Sequence, residues 1–174
     1  LKIFDVKYIP TAGGSLRYYI SKNHNIAITN EVDMFLKIEN KIDFSNPNTY
    51  EIFKKNCENS KQRLKDLLFK ISKNHSIVSY GATSKSTTIF NYCNIDSSII
   101  SYITDTTHTK QNKLSPGMHI PIYDYSYFKS NLPEYCFLGA WNHKNEIFNK
   151  EKNNFNVNGK WITHLEGVKI LDDL

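Results

Sequence analysis

The chain has 174 residues, 40% of them apolar, and a formal charge of +5, which is enough for one well-packed domain; because it opens on Leu1 directly in strand-like sequence, it reads as a piece of a longer protein. No run approaches the roughly 18 apolar residues of a membrane span and no signal-peptide pattern opens the chain, so a cytoplasmic protein with no membrane partner is expected. The charge comes from twenty lysines and two scattered arginines, Arg17 and Arg63, where a nucleic-acid reader clusters its basic residues and favours arginine; nucleic acid is therefore not an expected partner.

In chain order, Phe4–Ile9 and Ser15–Ile20 are strand-like runs joined by Pro10-Thr11-Ala12-Gly13-Gly14, which predicts a β-hairpin. Arg17, on the second strand, reads either as an exposed strand residue or as a clamp for phosphate or carboxylate. Val32, Phe35, Leu36 and Ile42 recur at helical spacing after Asn30, a candidate N-cap. Asn46-Pro47 opens a second helix with proline at its first position. Tyr50, Phe53, Cys57, Leu64, Leu67, Leu68 and Ile71 form one apolar stripe along about 25 residues, roughly 38 Å, with Asn74 as the stop. Cys57, Cys93 and Cys136 have no metal or redox spacing and read as buried free thiols.

The stretch that organises the rest is Ser76 to Asp105. An apolar run, Ser76–Tyr80, breaks at Gly81; Thr83–Asn91 opens a helix; a second apolar run, Ile99–Thr104, ends on Asp105. This is the pattern of a βαβ unit in a parallel sheet. Thr106 to Pro116 then reads as a polar loop, and Met118–Ile122 as a short strand that Pro121 shortens or places at an edge. Asp124 caps a short helix through Lys129, Tyr135–Gly139 is a buried strand, Asn142 caps a weaker helix containing Phe148, and Trp161–His164 is a last strand before an acidic end. The predicted fold is an α/β, Rossmann-like three-layer domain with a mostly parallel sheet of about five strands, plus the N-terminal hairpin and long helix. Its parts are residues 1–45, hairpin and short helix; 46–74, long helix; and 75–174, α/β core, all within a single domain.

Ligands of such sheets sit beyond the carboxyl ends of the strands, where helix N-termini offer free N–H groups. Gly81 and Ala82 lead into that position, with the hydroxyls of Ser84, Thr87 and Thr88 and the ammonium of Lys85. These residues fit an anion cradle, and they fit equally an ordinary capped surface helix. The loop has neither the G-x-G-x-x-G spacing of a dinucleotide site nor that of a P-loop. Asp105 stands 24 residues after Gly81, near the offset of about 20 at which Rossmann proteins place a ribose-binding acid; the competing reading is a turn cap through Thr106 and Thr107. His119 follows Pro116-Gly117 and is a secondary ligand candidate. The histidines and carboxylates show no metal spacing and no catalytic pairing, so no catalytic or metal residue is assigned.

Phe4-Asp5-Val6 through Gly13-Gly14-Ser15-Leu16-Arg17, Tyr80-Gly81-Ala82 with Lys85 and Asn91-Tyr92-Cys93, Asp105 with Lys110-Gln111, Pro116 through Ile122, and Ala140-Trp141-Asn142, in this order, resemble the C-terminal domain of bacterial sugar C-methyltransferases. Ala12 and Ser86 stand where that family usually has His and Gly. The resemblance implies a fragment that is inactive alone and positions a nucleotide-linked sugar. S-adenosylmethionine, zinc and the general base would belong to upstream regions of the parent, whose methyl-donor domain is the implied partner. It adds Arg17, Asn91, Lys110, His119, Trp141 and Asn142 to the substrate-binding candidates, with no cofactor in this fragment. The alternative is a non-catalytic α/β scaffold that mediates association.

Overall fold

A computed structural model describes residues 1–171. Two compact units divide the chain, Leu1–Asn56 and Cys57–Leu174, with the boundary inside the long helix.

In the first unit, β1 (Lys2–Ile9) pairs antiparallel with β2 (Ser15–Ser21) through a short 3-10 turn. Gly14 closes that turn at φ +117°, where a side chain would be strained. Helix α1 (Asn30–Ile42) packs on β1. It begins one residue earlier than capping by Asn30 requires: Thr29 is the N-cap, and its hydroxyl donates instead to Asp5 Oδ1 at 2.7 Å. Val6 is buried, whereas Met34, Leu36, Ile38 and Ile42 of α1 are exposed. Helix α2 (Pro47–Ser72) starts at proline as its sequence predicts.

The predicted apolar stripe of α2 is buried only in its C-terminal half, at Leu64, Leu68 and Ile71; Tyr50 and Phe53 are exposed and Cys57 is only half-buried. Cys93 and Cys136 are the buried thiols, both raised in pKa by desolvation.

The second unit is a three-layer α/β domain built on a seven-stranded sheet in the order β5-β6-β4-β3-β7-β8-β9. Five strands are parallel: β3 (Ile77–Tyr80), β4 (Ile103–Thr104), β6 (Pro121–Tyr123), β7 (Tyr135–Leu138) and β8 (Lys160–Thr163). Two short antiparallel strands, β5 (Lys113–Leu114) and β9 (Lys169–Leu171), close the edges. Alternation along β3 sorts the core into two faces. Ile77 joins Leu64, Leu68, Phe90, Ile103 and Phe137 beside α2 and α3 (Ser84–Cys93). Val78 and Tyr80 join Phe128, Ile147, Phe155 and Trp161 beside α4 (Tyr125–Ser130) and α5 (Lys144–Glu151).

Several boundaries differ from the sequence reading for local reasons. Ile99 and Ile100 are not strand: Asp96 Oδ1 accepts from the Ser98 amide, and the Ile99 and Ile100 amides donate to Asp96 O, which winds the start of the apolar run into a turn. Pro121 lies not at an edge but as the first residue of β6, inside the sheet, where a missing N–H is tolerated. The polar loop before it folds back as β5. Asn142 does not cap α5; it lies in a 3-10 turn (Trp141–His143), and His143 occupies the cap position without a side-chain bond. Trp161 to Thr163 is followed by a further strand, β9, before the predicted acidic end, of which residues 172–174 lie outside the described residues. Among the described residues no helix is long and apolar enough to cross a membrane.

Candidate functional site

From β3 the chain runs through α3, β4 and β6 to one side of the sheet, while β7 and β8 lie on the other. The direction of winding therefore reverses between β3 and β7, and at such a switch point the loops leaving the strand ends diverge and open a crevice. Gly81 and Gly139 leave these two strands.

Gly81 has φ +98°, and a Cβ there would stand 2.5 Å from Ala140 Cβ, so the two loops can approach only because this residue is glycine. Its amide donates to Thr104 O at 2.8 Å. Thr83 then caps α3 with a reciprocal pair: its Oγ1 accepts from the Ser86 amide at 3.0 Å, and its own amide donates to Ser86 Oγ at 3.0 Å. The same Thr83 hydroxyl reaches Gly139 O at 3.0 Å and ties the helix start to the end of β7.

Asp105 fastens the other side. Its Oδ2 accepts from the Ala82 amide at 2.7 Å and its Oδ1 from the Thr107 amide at 2.8 Å. Lys110 Nζ donates to Ala82 O at 2.8 Å and lies 3.4 Å from Asp105 Oδ2. The Asp105 side chain is only 8% exposed. Burial by itself pushes its carboxyl upward, but the bonds from Thr107 and Ala82 and the charge of Lys110 outweigh burial and hold the pKa below the usual value. Asp105 thus acts first as a turn cap and loop anchor.

Two crevices open here and share Thr83 and Lys110. The first, about 390 Å³, lies over the switch point; Tyr80, Gly81, Thr104 and Asp105 form its floor, and His143, Glu146 and Lys150 of the α5 segment its wall. The second, about 540 Å³, runs along α3 past Ala82, Ser84, Thr87 and Thr88 to Lys113, Leu114 and Pro116. A fully buried carboxylate supports the first crevice from beneath. Glu151 accepts from Tyr80 Oη at 2.9 Å and from Asn154 Nδ2 at 2.9 Å. Burial, then the charge and hydrogen bond of Glu151, push the Tyr80 phenol well above its ordinary range; burial, then the bond and charge of Glu151, push Tyr125 up to about 12.

The structure gathers Gly81, Asp105 and Lys110 at the first crevice and Ala82, Ser84, Thr87, Thr88 and Lys110 at the second. Other candidates are used elsewhere. Lys85 Nζ sits 4.9 Å from the centre of the Trp141 ring. Asn91 Nδ2 donates to Thr87 O and Pro116 O and so clamps a turn. His119 is an exposed turn residue at φ +53°, and Asn142 is exposed in its 3-10 turn. None of these five lines either crevice. Arg17 belongs to the hairpin, in register with Lys7, and is exposed. Sequence reasoning passed over Tyr80, Tyr125, His143, Glu146, Lys150 and Lys113. The spacing of His143, Glu146 and Lys150, three and four residues apart, places them on one helix face and was the available signal.

Among the described residues no group of three or more His, Cys, Asp or Glu is arranged to hold a metal. One glycine, Gly81, stands in the loop after β3, and both carboxylate oxygens of Asp105 accept from the chain's own amides.

C-methyltransferase NovU of Streptomyces niveus is 30% identical over 96 residues, covering 55% of this chain and 23% of that protein. The chain therefore matches less than a quarter of the relative's length. The sequence model of the C-methyltransferase C-terminal domain matches residues 10–165, nearly the whole chain, and the chain belongs to that family.

Proposed function

We propose that this domain binds the nucleotide-linked sugar substrate of an S-adenosylmethionine-dependent sugar C-methyltransferase, while the methyl donor, zinc and general base are held by other parts of the parent enzyme. The observation that carries this reading is the pair of crevices at the switch point, which share Lys110 and are lined by hydroxyls, amides and ammonium groups from β3, β4, α3 and α5. A ligand with a diphosphate in its middle can lie across such a divide, with Lys110 near its charge. The domain's part in the reaction is to fix the substrate's position, which lowers the entropic barrier to transfer.

The test is thermal: a nucleotide sugar raises the melting temperature of the 174-residue chain, whereas S-adenosylmethionine neither raises it nor binds at micromolar affinity by calorimetry. A second reading, a scaffold for association, is favoured by the exposed apolar residues Met34, Leu36, Ile38 and Ile42 of α1. A chain that no nucleotide sugar stabilises, and that associates in solution, belongs to that second reading.

A further inference from the structure

The two crevices differ in charge, and the difference decides which part of a ligand each takes. The second crevice has Lys110 and Lys113 in its lining, no Asp or Glu, and an apolar side made by Leu114, Pro116 and Ile122. It suits an anion joined to an apolar ring. In the first crevice two ammonium groups, Lys110 and Lys150, share the lining with two carboxylates, Asp105, which pairs with Lys110, and Glu146, which pairs with His143. A diphosphate there would face two carboxylates. A polyhydroxyl ligand gains from both signs, because carboxylates accept from its hydroxyls and ammonium groups donate to them.

The groups on the α5 side are also held in place. His143 Nδ1 lies 3.1 Å from Glu146 Oε2, and Lys150 Nζ lies 3.4 Å from the centre of the Tyr125 ring. Tyr80, whose ring meets that of Tyr125 edge-on at 6.5 Å, is anchored through its hydroxyl to the buried Glu151. Tyr80 and Tyr125 thus stand beneath the charged groups as a fixed support, with the Lys150 ammonium seated on the Tyr125 ring. The volume, about 390 Å³, lies within the roughly 300–1,000 Å³ of small-molecule sites.

We infer that the first crevice is the sugar subsite of this domain, with Glu146 and Lys150 as the side chains that contact sugar hydroxyls and the diphosphate held on the far side of Lys110. This assignment rests on the nucleotide-sugar reading above and deepens it. Both residues are exposed, Glu146 with 80% of its side chain free, so replacing either leaves the core intact.

The experiment compares, by calorimetry on the whole 174-residue chain, the thymidine, uridine and guanosine diphosphates with their hexose conjugates, using wild type, Glu146→Gln and Lys150→Gln. The expected result is that the best conjugate binds wild type at least about tenfold more tightly than its own diphosphate. In each variant that advantage falls to within about threefold, while affinity for the diphosphate stays within twofold and the melting temperature is unchanged. A diphosphate that binds with no added affinity from its sugar overturns the subsite. So does a variant that weakens diphosphate and conjugate equally, which places phosphate or base in this crevice and leaves the nucleotide-sugar reading standing. Failure of every diphosphate and conjugate to bind refutes that broader reading and, with it, the subsite.

Discussion

Removing the carboxylate of Asp105 tests whether the site is built by the β4 terminus clamping the Gly81-Ala82 loop. Asp105→Ala deletes the acceptor of the Ala82 amide at 2.7 Å, that of the exposed Thr107 amide at 2.8 Å, and the counter-charge of Lys110 at 3.4 Å. Charge-assisted bonds contribute about 1.5–3 kcal/mol each, and water recovers most of the loss where the donor is exposed. The loop anchor should therefore cost about 2–4 kcal/mol. Asp105→Asn keeps one oxygen and should cost about 1–2 kcal/mol. Because the folded pKa lies below the unfolded one, the stabilisation is complete above about pH 4 and is lost as pH falls through the folded value. Urea unfolding followed by tryptophan fluorescence reads this directly, since Trp141 and Trp161 both belong to the Cys57–Leu174 unit. The gap between wild type and Asp105→Asn should close in acid. Equal stability of wild type and Asp105→Ala at neutral pH, or a gap independent of pH, would refute the clamp.

Other outcomes follow from the same geometry. Glu151→Ala strands the Tyr80 hydroxyl and the Asn154 amide and should cost about 2–4 kcal/mol in chemical denaturation, with Glu151→Gln recovering part of it. Gly81→Ala brings a methyl to 2.5 Å from Ala140 Cβ at φ +98°; a loss of about 2–4 kcal/mol is expected, seen as a lowered melting temperature. The raised pKa values of Tyr80 and Tyr125 contribute stability that is complete below about pH 10 and lost as pH rises through the folded values. Alkaline melting curves should fall above that point, with tyrosinate absorbance of this pair rising only alongside unfolding. Finally, Lys110→Ala should weaken nucleoside diphosphate binding about 10–100-fold, and Lys85→Ala less than about threefold, because Lys85 lies over Trp141 and outside both crevices.

Several elements that depend on neighbours in the chain could be read from the sequence, although the local turn at Asp96 and the caps at Thr29 and His143 were missed. The run Ser76–Tyr80, the break at Gly81 and the hydroxyl-rich helix start give β3 and α3, because periodicity and backbone freedom act within a few residues. Pro47 at the start of α2 and Asp124 at the cap of α4 were legible for the same reason. The motifs in order carried the family. Pairing across the sheet was not legible: nothing local in Tyr135–Leu138 says that it joins β3 on the side away from β4, yet that choice sets the switch point and brings Ala140 and His143 to the first crevice. Asp105 shows the same division. Its type and offset allowed a ribose contact or a cap, and only the folded loop, by placing the Ala82 and Thr107 amides against both oxygens, made it an anchor. Glu146 and Lys150 look like ordinary charges of a solvated helix in the sequence, and they line a site because long-range packing of Ile147 and Phe155 seats α5 beside β7 and β8. Local steric and hydrogen-bonding rules therefore determined the elements, while burial of both sheet faces, a property of the whole chain, decided which side chains meet.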